Sequence, residues 1–358
     1  MFLKGKNMYK DLMDKKLEEI KNKDSVKILA IESSCDETSV AIVENGRKVL
    51  SCVIDTQIEI HKRFGGVVPE VASRNHILAI DNVTKEALTR ANLTFDDIDL
   101  IAVTYGAGLL GALLVGVNYA KGLAYALNKP LLAINHIKGH IASNYISHED
   151  LTPPFTCLLI SGGHTAILDV ESYTKFTKIG ATVDDAVGEA FDKVARVMGL
   201  SYPGGVNIDK YSKEGESNIN FAHKNILAGT YNFSFSGIKT AVINYVHNKE
   251  QKGEKISIPD VSASFQTFVV NELAGKTLKA MQERNSKKLV VAGGVSANSF
   301  LKKELTEKSE ELGFKLYMPE LKYCTDNAAM IGSMAYYELL AGAKCADFDL
   351  TAKSTLPL

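Results

Sequence analysis

The 358-residue sequence has no excess of either charge: 41 Lys plus Arg stand against 42 Asp plus Glu, a formal net charge of −1. It therefore offers no global basic field to hold a nucleic-acid backbone, and such a partner would need a local patch or a helper subunit. Cysteine is sparse as well. Cys35, Cys52, Cys157, Cys324 and Cys345 are odd in number and contain no CxxC. Neither a disulfide framework nor a Cys-rich zinc site is indicated, and the compartment reads as reducing. Long apolar runs are missing too. Residues 100–120 carry no charge, but Gly106, Gly108, Gly111 and Gly116, with Thr104, Tyr105 and Asn118, divide them into a strand, a loop and the start of a helix. That is the pattern of a buried segment in a soluble protein, not of a membrane span. Residues 1–27 hold eight Lys and five acids with no apolar core or cleavage-like site, which excludes a signal peptide and predicts an exposed extension able to form a helix.

What is there is the composition of a globular protein, 46% hydrophobic and 23% charged, which excludes a disordered tail, a collagen and a coiled coil. The length predicts two domains. Strand-like and helix-like patterns alternate along the chain. Residues 28–32, a polar turn at 33–38 and residues 39–43 read as a hairpin. A related hairpin recurs at 157–170 around Ser161, Gly162, Gly163, His164 and Thr165, so the chain reads as one α/β unit used twice, its two turns facing across a cleft. Residues 288–292 read as a buried strand, followed by Gly293, Gly294 and a helix from near Asn298. Gly-Gly at that place allows close backbone approach to a ligand. A loop with Phe64, Gly65, Gly66 and Pro69 leads into a helix expected over 73–91, and residues 249–255 read as a charged linker between helices.

The sharpest chemical signal is His136, Ile137, Lys138, Gly139, His140 after the apolar strand 131–134. On a helix, positions i and i+4 share a face, so both imidazoles can reach one metal. The Glu of an HExxH protease is missing. The best third ligand by context is Asp326, whose plainer role would be a helix N-cap. Two His and one carboxylate suit Fe(II) or Zn(II). The Ser161–Gly163 turn suits an anion, although a hairpin turn with Gly for its dihedrals explains it equally. Residues 184–193 are dense in carboxylates. Asp192 before Tyr202, Pro203, Gly204 and Gly205 puts a carboxylate near a tight turn that could hold ribose hydroxyls, against the alternative of solvated helix surface.

Together these segments resemble the tRNA threonylcarbamoyladenosine transferases, once labelled glycoproteases, in their bacterial form. Eight motifs carry the resemblance in order: ILAIESSCDETSVAIV at Ile28, FGGVVPEVASRNH at Phe64, NHIKGH at Asn135, LLISGGHT at Leu158, DDAVGEAFDKVARVMGLSYPGG at Asp184, FSFSGIKTAV at Phe233, VVAGGVSAN at Val290 and CTDNAAMIG at Cys324. The resemblance implies an actin and Hsp70-like fold, two lobes each with a ribonuclease H-like core around a cleft. Residues 27–148 with 322–358 would form the lobe of the metal ligands, residues 149–321 the substrate lobe, and residues 1–26 an extension whose true start could be Met8. It implies His136, His140 and Asp326 as ligands of Fe(II), with Zn(II) possible in preparations. It implies Leu159, Ile160, Ser161, Gly162, Gly163, Asp192, Gly205, Asp209 and Asn298 as contacts of the nucleotide-carrying substrate. The implied reaction moves threonylcarbamoyl from threonylcarbamoyl adenylate to N6 of adenosine 37 in tRNA, releasing AMP in the cytoplasm, away from any membrane. The implied helpers are an inactive paralogue and a small P-loop ATPase. Asp36, Glu37 and His164 are candidate proton acceptors among which the sequence does not choose. One departure stands out: Val206 replaces the usual Pro after the YPGG turn, which would loosen Asp209.

Three rivals remain. A metalloprotease lacks its HExxH, a kinase of the same fold would need phosphate and Mg(II) ligands instead of the His pair, and a non-catalytic scaffold would tolerate loss of ligands that are all present here. A near-neutral tRNA enzyme is expected to use restricted basic surface such as Lys62, Arg63 and Arg74, or to share the RNA with partners.

Overall fold

The computed structural model describes residues 2–221, 227 and 229–357, and of residues 2–8 the backbone alone. The chain opens with helix α1 (Phe2–Ile20). Strands β1 (Lys27–Glu32), β2 (Glu37–Glu44) and β3 (Lys48–Thr56) follow, then α2 (Ile58–Lys62), α3 (Pro69–Ala91), β4 (Leu100–Gly106), α4 (Leu110–Leu127), β5 (Leu131–Asn135) and α5 (His136–Ser147). A second set begins with β6 (Phe155–Ile160), β7 (Thr165–Val170) and β8 (Phe176–Ala181). Helices α6 (Val187–Val197), α7 (Gly204–Ser212), α8 (Ser236–Gln251) and α9 (Ile258–Glu283) lead to β9 (Lys288–Ala292), α10 (Ser299–Leu312), β10 (Lys315–Tyr317) and α11 (Ala328–Leu340).

The sheets have orders β3-β2-β1-β4-β5 and β10-β9-β6-β7-β8. In each, the first strand pairs antiparallel with the next and parallel with the fourth, so β6 repeats β1 and β9 repeats β4. The two hairpin turns thus occupy equivalent places, as the repeated pattern in the sequence predicts. The second sheet is covered on both faces: Cys157 and Leu159 of β6 join the core around the first sheet, while Leu158 and Ile160 join the other core. This is the period of two expected of a strand.

Helix α5 connects the two halves. It packs against α11, β5, β6 and β9, and the Asn144 amide donates to the Val291 carbonyl of β9 at 3.0 Å. Gly139 permits the tight contact with α11, because a Cβ there would lie 2.7 Å from Ile331 Cδ1. Helix α4 is long and apolar enough by composition to cross a membrane. Its Ala112, Leu113, Gly116, Val117, Ala120 and Ala124 are instead buried, and it packs against α3 and β4.

Two expectations shift. Helix α3 begins at Pro69, four residues before the expected start, because proline is suited to the first helical turn. The N-terminal extension is helical but is no free appendage: Met13, Leu17 and Ile20 are buried in the core. The Tyr9 hydroxyl donates to the Lys129 carbonyl at 2.9 Å, and Asp14 accepts from the Cys345 amide at 2.7 Å. All five cysteines are free thiols.

Candidate metal centre and cleft

Two capped helix starts bring the ligand candidates together. The Asn135 side chain accepts from the Ile137 amide at 2.8 Å and begins α5 at His136. The Asn327 side chain accepts from the Met330 amide at 3.0 Å and begins α11, leaving Asp326 just outside the helix with its carboxylate free of the capping role. The two imidazoles share one face of α5 with ring centroids 4.6 Å apart. Asp326 Oδ1 lies 3.5 Å from His136 Nε2 and 3.2 Å from His140 Nε2. One ligand atom from each of the three residues falls within 4.8 Å of the others.

Nδ1 of buried His140 has no hydrogen-bond partner among the described residues, while its Nε2 faces Asp326 Oδ1 at 3.2 Å. Buried polar atoms left in that condition are costly. A divalent cation would take one donor atom from each of His136, His140 and Asp326, so the donor set fits a metal ion. Burial works against charge on His136, yet the facing carboxylates of Asp326 and Glu32 prevail and lift its pKa to about 9. Burial would raise Asp326, but the neighbouring imidazoles hold it well below the usual carboxylate range. His164 goes the other way, pushed down to about 4 by burial and by the charges of His136 and His140.

Glu32 went unrecognised in the sequence. It is fully buried, with Oε2 3.0 Å from His136 Nδ1. The available signal was a carboxylate closing an otherwise apolar strand, ILAIE. Of the candidate proton acceptors, Asp36 is buried and accepts from the Tyr202 hydroxyl at 3.4 Å. Glu37 has its pKa raised well above the usual range by burial, then by the charges of Asp36 and Asp326.

Across the cleft, the β6–β7 turn is closed by the Ser161 amide donating to the His164 carbonyl at 2.8 Å. A Cβ at Gly162 or Gly163 would meet nothing within 4 Å. Gly293 has φ +95°, and a Cβ there would lie 2.4 Å from the Ile160 carbonyl oxygen, so this loop sits directly against the end of β6. Leu159, Gly163 and His164 line a cavity of about 260 Å³ with Phe176, Leu356 and Pro357. Ile160 does not join them, since its side chain packs into the second core.

Asp192 accepts from the Gly204 amide at 2.7 Å, and burial raises its pKa. Asp209 accepts from the Ser299 amide at 3.1 Å and from its hydroxyl at 2.9 Å. Asp209 is thus held from α10, and Val206 is exposed. Asn298 caps α10 through Leu301 and donates to Gln266 at 2.7 Å. A Cβ added at Gly205 would make ordinary contact with Phe191. Of the expected basic surface, Lys62 pairs with Glu59 and Arg74 with Glu70, while Arg63 is exposed.

Comparison with known proteins agrees with this architecture. HypF in its phosphate- and nucleotide-bound form superposes with a TM-score of 0.59 at 17% identity, covering 88% of this chain and 56% of that one. Component A of the Acidaminococcus fermentans (R)-2-hydroxyglutaryl-CoA dehydratase superposes with a TM-score of 0.51 at 15% identity, covering 88% and 99%. Such likeness shows the actin and Hsp70-like fold. At the level of sequence, the profile of the tRNA N6-adenosine threonylcarbamoyltransferases matches residues 48–333. Proteins of that name from Clostridium perfringens strain 13 and Clostridium botulinum strain Hall are similar at 58% and 56% identity, covering 92% and 94% of this chain and 98% and 99% of theirs. With a family profile spanning most of its length and relatives this similar from end to end, the chain belongs to the tRNA N6-adenosine threonylcarbamoyltransferase family.

Proposed function

We propose that this chain transfers the threonylcarbamoyl group of threonylcarbamoyl adenylate to N6 of adenosine 37 in tRNAs that read codons beginning with A, releasing AMP. The observation that carries this reading is the cluster of buried His136 and His140 with half-buried Asp326 at the cleft of a chain in this family. These three residues would hold an Fe(II) ion, with Zn(II) an alternative in purified protein. When bound, such an ion supplies Lewis-acid polarisation and a template for the threonylcarbamoyl oxygens.

The remaining work falls to the protein. An exocyclic adenine amine is a weak nucleophile, so orientation against the carbamoyl carbon and stabilisation of the developing oxygen charge contribute most. Gly162 and Gly163 present backbone amides where no side chain intrudes, next to Ser161, and suit the phosphate or carbamoyl end. The Gly293–Gly294 loop, Asn298, Gly205, Asp192 and Asp209 would hold the adenylate, the two carboxylates toward its ribose, with Leu159 and Ile160 shaping the strand end beneath. As N6 bonds to the carbamoyl carbon, the bond to the phosphate oxygen breaks and one amine proton must leave. That proton would go to one of Asp36, Glu37 and His164.

Residues 27–148 with 322–358 and residues 149–321 act as the two lobes in this reading. The partners are tRNA, an inactive paralogue and a small P-loop ATPase, in the cytoplasm. Helpers also answer the charge balance, because a protein of net charge −1 gains from sharing the RNA. The test combines the protein with threonylcarbamoyl adenylate, unmodified tRNA and the helper proteins, followed by mass spectrometry of the digested nucleosides. Threonylcarbamoyladenosine is expected, and its absence from every combination sinks the proposal.

A further inference from the structure

Glu32 ends β1 inside the core, with no exposure to solvent. A carboxylate there is tolerated only when its oxygens are fully engaged. Oε1 accepts from the Ser34 amide at 2.6 Å, and Oε2 accepts from the Thr104 hydroxyl at 2.6 Å. Thr104 is brought to this spot by the parallel register of β1 and β4, in which Ile31 faces Val103. The third partner is His136 Nδ1, 3.0 Å from Oε2 and 3.1 Å from the Ser34 hydroxyl.

With Oε1 accepting from Ser34 and Oε2 from Thr104, the carboxylate is set as an acceptor, and Nδ1 at 3.0 Å donates to it. The other ring nitrogen, Nε2, is the one that faces Asp326 and His140. We propose that Glu32 is a positioning residue that sets the tautomer and ring plane of His136, so that the Nε2 lone pair is presented to a divalent cation. It touches neither the cation nor the substrate. Its relation to His136 is that of a carboxylate holding a ligating imidazole from behind. His140 Nδ1 has no such partner among the described residues, and its Nε2 faces Asp326. The two histidines of the pair are therefore unequal, one held from behind by a carboxylate and the other not. This inference rests on the metal reading above.

The experiment uses the full chain, stripped of metal and titrated with Co(II) against a chelator, with the ligand-field spectrum recorded alongside. Glu32→Gln keeps the size of the side chain but lets an amide N–H face Nδ1, which favours the wrong tautomer. The expected result is Co(II) affinity weaker by ~10–100-fold and altered ligand-field bands. Thr104→Val, which removes one donor to the carboxylate and leaves the His136 contact, is expected to lose less. Should Glu32→Gln not fold, the decisive measurement is the ¹⁵N spectrum of histidine-labelled wild-type protein loaded with Zn(II), where His136 is expected to be protonated at Nδ1. Wild-type Co(II) affinity and spectrum in the variant, or His136 protonated at Nε2, overturns the proposal. Failure of the wild-type protein itself to bind Co(II) would remove the metal reading and this inference with it.

Discussion

After β1 the chain turns through residues 33–36 into β2, and after β6 it turns through residues 161–164 into β7, at the equivalent place in the second sheet. The first turn is packed with buried carboxylates. Glu32 and Asp36 lie beneath it and Glu37 follows, all within the electrostatic reach of Asp326 or of one another. The second turn has two glycines with open space where their side chains would be, and a lone His164 as its ionisable group. Duplication has therefore preserved a scaffold and divided the chemistry. One turn anchors a buried ionic network through His136, and the other leaves backbone donors uncovered. A repeated topology predicts where functional groups sit and says little about their charge.

The largest effect should come from cutting the charged side. His136→Ala and His140→Ala should each lower metal affinity by more than the ~10–100-fold expected for loss of an outer partner. Metal analysis of the purified variants checks this, and unchanged metal content in both would remove the site. The open side breaks differently. Gly293→Ala forces a side chain into φ +95° and against the Ile160 carbonyl, so it should destabilise the fold by about 1–3 kcal/mol, read from denaturant midpoints. A variant as stable as wild type would show that this loop does not abut the turn.

The proton on His136 supplies a third test. Its pKa of about 9 without an ion means that metal must displace a proton at any lower pH. Apparent affinity should then rise with pH, by about tenfold per unit for one proton, and level off near 9. Chelator competition at pH 6.5, 7.5 and 8.5 measures it, and a flat profile contradicts the assigned charge state. The smallest structural effect belongs to Gly162→Ala, whose added methyl meets nothing and needs no special backbone angle. Its stability should be unchanged or higher by up to ~1 kcal/mol. Transfer activity should nevertheless fall if the uncovered turn holds the substrate, and full activity would argue that the openness of this turn is incidental.

Much of this was legible before any coordinates. The edges of β1 and β9, the end of β6, the repeated hairpin and the His136, His140 pair follow from local patterns, because the period of side chains and the needs of turns are short-range properties. The boundary of α3 was misplaced by four residues because Pro69 read as loop chemistry when it was the first turn of a helix. The role of the N-terminal extension was misjudged for a related reason. Its many lysines signal exposure, yet only three apolar residues on one face, Met13, Leu17 and Ile20, are needed to seat it.

What the sequence determined by itself was the kind of protein and the kind of ligands: a duplicated α/β chain, near-neutral, with a paired histidine on a helix start and a carboxylate far along the chain. What only the tertiary structure decided was which groups meet. Asp326 reaches the histidines because Gly139 lets α11 press against α5, and Glu32 reaches His136 because β1 ends beneath the start of that helix. Contacts between residues 104 and 190 positions apart are set by packing across elements, where no periodicity along the chain records them.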